Sequence, residues 1–353
     1  MSFAASDTPR IETTARSARP WLWPGLVLVL LIAVIAAFSF GRFGVPPDIV
    51  LRILLAPFLP IEPSWNAVQE QVVLSVRGPR ILAALVCGAG LAIAGAALQG
   101  VFRNPLVGPD LLGVSSAAAF GGALALLAFG GGATVLAFAF LGGLAALAMV
   151  FALARVDGTA TTVALILVGL VVGALFAALV SLLTYIADPE DDLPTIVYWL
   201  LGTFGAVTPE RLTPVAIVIV AAGALLMLLR YRLNLLSLGD DEARALGLAV
   251  EPTRWLVLAA VAAITAATVA VAGIIGWVGL VVPHLARLLV GPDHLRLLPA
   301  SALIGAVYLV IVDTVARAAT AQDLPLGILT ALIGAPLFIL LLRRRLHDAS
   351  IGA

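Results

Sequence analysis

The chain has 353 residues, 62% of them hydrophobic and 11% charged, with a formal net charge of zero and a mean hydropathy of +1.14. A soluble globular chain is about half apolar and about a quarter charged, so this composition belongs in a bilayer. All twenty basic Lys+Arg positions are arginine, which excludes a P-loop lysine, a Schiff-base lysine and a Ser-Lys dyad; the single Cys87 excludes an intrachain disulfide and a cysteine-rich metal site.

Residues 1–20, rich in Ala, Ser, Thr, Pro and Arg, read as a short disordered tail. A hydrocarbon core of about 30 Å needs roughly 20 apolar helical residues, and the uncharged stretches of about that length predict ten transmembrane helices. The first, Trp21 to Phe40, follows Arg10, Arg16 and Arg19 as a secretory core would, but it exceeds the roughly 7–15 residues of such a core and reads as a retained anchor. Gly41 to Pro79, with Pro46, Pro47, Pro57, Pro60 and Pro63, reads as an external segment along the membrane surface. Four spans follow: Ile81 to Phe102, Leu111 to Phe129, Ala133 to Ala154 and Thr162 to Ala187.

The loop from Asp188 to Arg211 starts acidic and continues through Ile196 to Leu201, too short to span; Tyr198 and Trp199 there predict an interfacial helix. After a sixth span, Leu212 to Leu229, the segment Arg230 to Arg254 contains the grammar of a short helix. Asp240, Asp241 and Glu242 suit the positive end of its dipole, and Gly247 suits a left-handed C-cap. On these residues alone an ordinary solvated connector outweighs a docking element. The last four spans are Trp255 to Ile275, Trp277 to Val290, Leu297 to Ala316 and Leu324 to Leu342. The eighth is short and contains Pro283; at 1.5 Å per residue it reaches only about 21 Å, and Gly273, Gly276 and Gly279 mark the turn before it.

With ten crossings and a cytoplasmic amino terminus, only Arg42, Arg52, Arg77, Arg80, Arg211 and Arg317 lie outside and the other arginines lie inside. That asymmetry follows the positive-inside bias, whereas nine crossings would expel the cluster Arg343, Arg344 and Arg345. Both termini are therefore expected in the cytoplasm. Within the spans, Gln99 reads as packing glue rather than a substrate ligand, and Asp313 with Arg317, one turn apart, as either an ion pair or an external binding patch. His284 has no second ligand at metal spacing, and no catalytic constellation appears. No cofactor or metal is expected on this chain.

Several stretches together resemble the FecCD-type permeases of bacterial ABC importers for iron-siderophores, haem and cobalamin. They are Arg77-Gly78-Pro79-Arg80, Gln99 with Asn104-Pro105-Leu106, Leu112-Gly113-Val114, Tyr198 to Gly202, Leu238 to Gly247, Gly276 to His284, Leu324 to Gly327 with Thr330, and Gly334-Ala335-Pro336. The resemblance implies an all-α polytopic membrane protein of the type II ABC importer kind: one permease domain over residues 21–345, with residues 346–353 as a cytoplasmic tail. It implies a dimer of permeases, identical or paralogous, whose pathway is lined by the fifth and tenth spans. It makes residues 238–248 the coupling helix, with Gly239, Asp240, Asp241, Glu242, Ala243, Arg244, Leu246 and Gly247 meeting an ATPase subunit that carries the ATP and Mg. It assigns Arg77, Arg80 and Arg317 to docking of a soluble or lipid-anchored substrate-binding protein, Thr159, Thr161 and Thr162 to a cytoplasmic gate, and Gln99, Asn104, Pro105, Pro283 and His284 to structural motifs. Asp323, where relatives often carry Glu, and Val107-Gly108, where Ala is common, depart from the pattern.

The expected function is thus ATP-driven import of an iron-siderophore or similar chelate, with cobalamin or haem as the alternative cargo, by alternating access in the bacterial plasma membrane. An ion-coupled secondary transporter would need acidic or polar coupling residues mid-membrane, and none stands out.

Overall fold

The computed structural model describes residues 21–155, 160–320 and 322–351, and among these every regular element is a helix. All ten predicted spans are helices: α1 (Leu22–Ser39), α4 (Gly78–Val101), α5 (Val114–Phe129), α6 (Ala133–Leu153), α7 (Thr162–Ile186), α9 (Pro209–Leu228), α12 (Val250–Ala272), α13 (Val278–Val290), α14 (His294–Ala318) and α15 (Leu326–Ile351). Shorter helices lie between them: α2 (Pro47–Leu55), α3 (Ala67–Gln71), α8 (Asp192–Leu200), α10 (Arg230–Leu236) and α11 (Asp240–Ala245). Helix α3 runs through a π-helical stretch, Val72–Arg77, into α4, giving a continuous rod from Ala67 to Val101. A capping box between Asn66 and Gln69 starts that rod.

Burial sorts the helices. The apolar windows of α4 and α12 are 78% and 72% buried, against 22% for α7 and 17% for α1. A helix that is apolar all round belongs at the centre, and one with an apolar face left open needs lipid or another subunit. Helix α4 packs closely because Gly95 lies on Gly279, where a Cβ would overlap the Gly279 carbonyl.

The bundle has two ends. At one, the end of α1, the start of α4, the end of α14 and the approach to α15 meet through Ala37, Arg80, Asp313, Arg317 and Asp323. At the other, where α1 begins, the starts of α7 and α12 and helix α11 meet through Ala160, Arg254 and Asp240. We call the second the terminal face and the first the opposite face.

The two shortest spans, α5 and α13, begin at depth on irregular backbone. After α4 the chain turns at Arg103 (φ +51°), Asn104 Oδ1 accepts from the Leu106 amide at 2.9 Å, and a 3-10 turn, Pro109–Leu112, leads back inward. Gly113 (φ +71°) then rests on Gly169 and Gly173 of α7, with room for no Cβ. The Pro109 ring lies against Gly279, so the re-entrant turn and the start of α13 shield each other's backbone. Irregular chain is tolerated at membrane depth only when covered by protein in this way.

Helix α8 forms where an interfacial helix was expected, and one of its faces packs on the bundle. Tyr198 is half exposed, but the Trp199 ring lies on Gly122 of α5 and Ile196 is buried. Beyond α8, the carbonyls of Gly202 and Leu201 accept from the amides of Leu326 (2.8 Å) and Gly327 (3.0 Å), while the Thr203 amide donates to Ala272 (2.8 Å). The separate sequence motifs at 198–202 and 324–327 are therefore one main-chain junction.

Candidate functional site

On the terminal face, α11 forms as its residues dictate. Gly239 (φ +140°) permits the entry, Asp240, Asp241 and Glu242 occupy the first turn, and Gly247 (φ +81°) ends the helix. The Leu248 amide donates to Ala243 and the Gly247 amide to Arg244, both at 2.9 Å, which completes a Schellman cap. Arg244 pairs with Asp241 at 3.0 Å on the exposed side. Asp241, Glu242, Arg244, Leu246 and Gly247 face outward, whereas Gly239 and Ala243 are buried and Asp240 is half-buried. The surface available to a partner is thus narrower than the eight residues 239–244, 246 and 247 taken together.

Between α11 and the start of α7 an open pocket of about 540 Å³ is lined by Arg103, Ala160, Thr161, Thr162, Asp240, Asp241, Glu242, Arg244 and Glu251. Thr161 is the N-cap of α7, its hydroxyl accepting from the Ala164 amide at 3.1 Å, and Thr162 is the first residue of that helix. Thr159, the third expected gate residue, lies outside the described residues. Arg254, which sequence reasoning left as a loop charge, lies in α12 and is 1% exposed. Its guanidinium donates to both carboxylate oxygens of Asp240 (2.6 and 2.7 Å), to Glu251 (2.8 Å) and to the Ala160 carbonyl (3.1 Å). The signal for this in the sequence is faint: an acidic residue three before an arginine at the mouth of an apolar helix.

On the opposite face, Arg77, Arg80 and Arg317 converge, together with Arg42 and Asp323, around a pocket of about 330 Å³. The three expected docking arginines do not stand out as free cations; all are buried and engaged within the chain. Arg77 donates to the carbonyls of Phe38, Ser39 and Phe43, and Arg317 to that of Ala37, so both cap the end of α1. Arg80 donates to Asp313 at 2.7 Å and to Asp323 at 2.5 Å, and Arg317 pairs with Asp313 at 3.1 Å. Asp313 and Arg317 therefore form an ion pair, shared with Arg80. Arg42, 54% exposed and 3.4 Å from Asp323, is the accessible cation that sequence reasoning passed over. Four guanidinium groups against two carboxylates leave the pocket with an excess of positive charge, and Arg80 Nη2 is buried there with no hydrogen-bond partner.

The remaining motif residues hold helices together. Gln99 Nε2 donates to the Leu280 carbonyl at 3.3 Å, and Gln99 Oε1 accepts from Arg287 at 2.9 Å, tying α4 to α13. Asn104 and Pro105 make the turn into the re-entrant segment, while Pro283 and His284 are buried within α13. Among the described residues no group of three or more His, Cys, Asp or Glu side chains could hold a metal ion.

Comparison with known proteins agrees with this architecture. Residues 29–344 match the FecCD transport family. The chain is 45% identical over 314 residues to the molybdate import permease MolB of Haemophilus influenzae, covering 89% of this chain and 93% of that one. It is 38% identical to the hemin transport permease HmuU of Yersinia pestis, covering 94% and 98%, and 42% identical to the cobalamin import permease BtuC of Halobacterium salinarum, covering 78% and 74%. A solved inward-facing structure, described as being of the metal-chelate ABC transporter type, superposes with a TM-score of 0.83 at 44% identity, covering 92% of this chain and 99% of that one. A ten-helix bundle with a capped surface helix at one end, matched to this family over almost its whole length, belongs to the FecCD transport family and is a multi-pass membrane permease of an ABC importer.

Proposed function

We propose that this chain carries a metal chelate of the iron-siderophore kind into the cytoplasm, with the terminal face inside and the opposite face outside. Helix α11 docks on an ATPase subunit that binds the ATP and Mg; this chain itself binds no cofactor. A substrate-binding protein docks over the arginine pocket, where its carboxylates meet the surplus positive charge, with Arg42 making the first encounter and Arg77, Arg80 and Arg317 supplying the field behind it. Thr161 and Thr162, with Thr159, form the inner gate. A second permease, identical or paralogous, covers α7 and α15.

The observation that carries this reading is the uncharged, open face of α7 (Leu167, Leu170, Val171, Leu175) and of α15 (Leu332, Ile333, Ile339). A metal wrapped in an organic shell passes between such walls without needing strong ligands, and tight recognition stays on the binding protein. A second reading, molybdate import, is favoured by the 45% identity to MolB over 89% of the chain.

Proteoliposomes holding the permease, ATPase and binding protein test both. ATP-dependent accumulation of a radioiron-loaded hydroxamate siderophore, with no accumulation of labelled molybdate, is expected. The reverse pattern selects the second reading, and accumulation that persists without ATP sinks ATP-driven import.

A further inference from the structure

We infer that Arg254 is the transmission residue that makes α11 and the inner end of α7 move as one body. This inference rests on the proposed docking of α11 to an ATPase, and goes beyond it by naming how displacement of α11 reaches the pathway.

Three observations carry it. The Arg254 guanidinium is almost fully buried, so the donor side of its bonds is sheltered from water, while its partners Asp240 and Glu251 are only partly covered. Those bonds go to three separate parts of the chain. Nη2 donates to both oxygens of Asp240, the first residue of α11, while Nη1 reaches Glu251 of α12 and the Ala160 carbonyl just before the N-cap of α7. A planar guanidinium holds such directions rigidly, whereas a lysine ammonium offers one point charge and cannot span them together. Finally, the open pocket of about 540 Å³ beside α11 means that α11 and the α7 entrance do not meet across a filled core; over this gap the described tie between them runs through Arg254.

The chemistry also reassigns Asp240. Its carboxylate is turned inward to Arg254, so it anchors α11 to its own subunit, and the ATPase reads Asp241, Glu242, Arg244 and Leu246 instead. A push on that outer surface is delivered through Asp240 and Arg254 to the Ala160 carbonyl, and so to the first turn of α7. Arg254 acts through other groups and is a positioning residue.

Hydrogen exchange on the permease assembled with its ATPase and binding protein in nanodiscs, with and without a trapped ATP analogue, tests this. In the wild-type complex, nucleotide should change exchange in two segments, 238–248 and 160–170. In R254K the response of 238–248 should persist while the nucleotide-dependent difference at 160–170 falls at least fivefold, and binding-protein-stimulated hydrolysis should lose its coupling to uptake. D240N, which keeps Arg254 and its bond to Ala160, should give the same split and carries the test if R254K does not assemble. A general loss of packing would raise exchange in both segments with or without nucleotide. If 160–170 responds to nucleotide as in the wild type in both variants, the linkage is overturned while docking stands; if 238–248 of the wild-type complex never responds, the docking reading itself fails.

Discussion

Replacing Asp313 with asparagine tests whether the arginine cluster of the opposite face is held by an internal counter-ion. Asp313 is 1% exposed and accepts from Arg80 at 2.7 Å and from Arg317 at 3.1 Å. The amide keeps the volume and one acceptor oxygen but removes the charge that two buried guanidinium groups share. Removing one partner of a buried ion pair costs about 3–5 kcal/mol, because the remaining charge is left uncompensated. Asp323 is the internal control: it contacts the same Arg80, but it is 24% exposed and its other partner, Arg42, lies largely in water. Water screens that side, and Asp323→Asn should cost about 1 kcal/mol or less. At about 2 °C per kcal/mol, the midpoint in mild detergent should fall by roughly 6–10 °C for Asp313→Asn and by roughly 2 °C for Asp323→Asn. Shifts of roughly 2 °C or less in both variants would refute the reasoning, since both would then be surface pairs and the arginines would be free to face a partner.

Two further outcomes concern the terminal face. Leu246→Glu, at an exposed position of α11, should leave the melting midpoint within about 1 °C and strip the ATPase from the complex during co-purification. Ala243→Glu, at a fully buried position, should lower the midpoint by several degrees, so loss of ATPase there would report on folding rather than contact. A cysteine placed at Glu242 should resist a membrane-impermeant maleimide on intact cells and react in inverted vesicles; Cys87 is buried and contributes no background. Reaction on intact cells would reverse the proposed orientation.

The spans were legible because their physics is local. A helix in lipid must be apolar and about 20 residues long, and both properties can be counted along the chain. Their ends were less so. Counting stopped at the first charge, yet α12 begins at Val250 and takes in Glu251 and Arg254, because those two neutralise each other at the helix mouth. The rod from Ala67 to Gly78 was read as surface loop among prolines, although Asn66 and Gln69 spelled a capping box. The caps of α11 were readable for the same local reason. What could not be read was the fate of the arginines. Arg80 meets Asp313 across 233 positions of sequence, and the reach of Arg254 to Ala160 spans 94. A charge near a membrane boundary scores the same whether it faces water or is folded inward onto a distant partner.

The seam at which Leu201 and Gly202 receive the amides of Leu326 and Gly327 is made of main chain alone. It leaves no space for a side chain at two of its four positions: Gly202 has φ +82° and a Cβ there would fall 2.7 Å from the Ile274 carbonyl oxygen, while a Cβ at Gly327 would fall 2.8 Å from that of Leu201. It depends on spacing as well, since one extra residue on either side of the seam would carry both oxygens past their donors. Such a joint forbids both bulk at its two glycines and changes of length. It also yokes the front of α15 to the tail of α8, so whatever parts at that end of the bundle must travel with the pair as a single leaf.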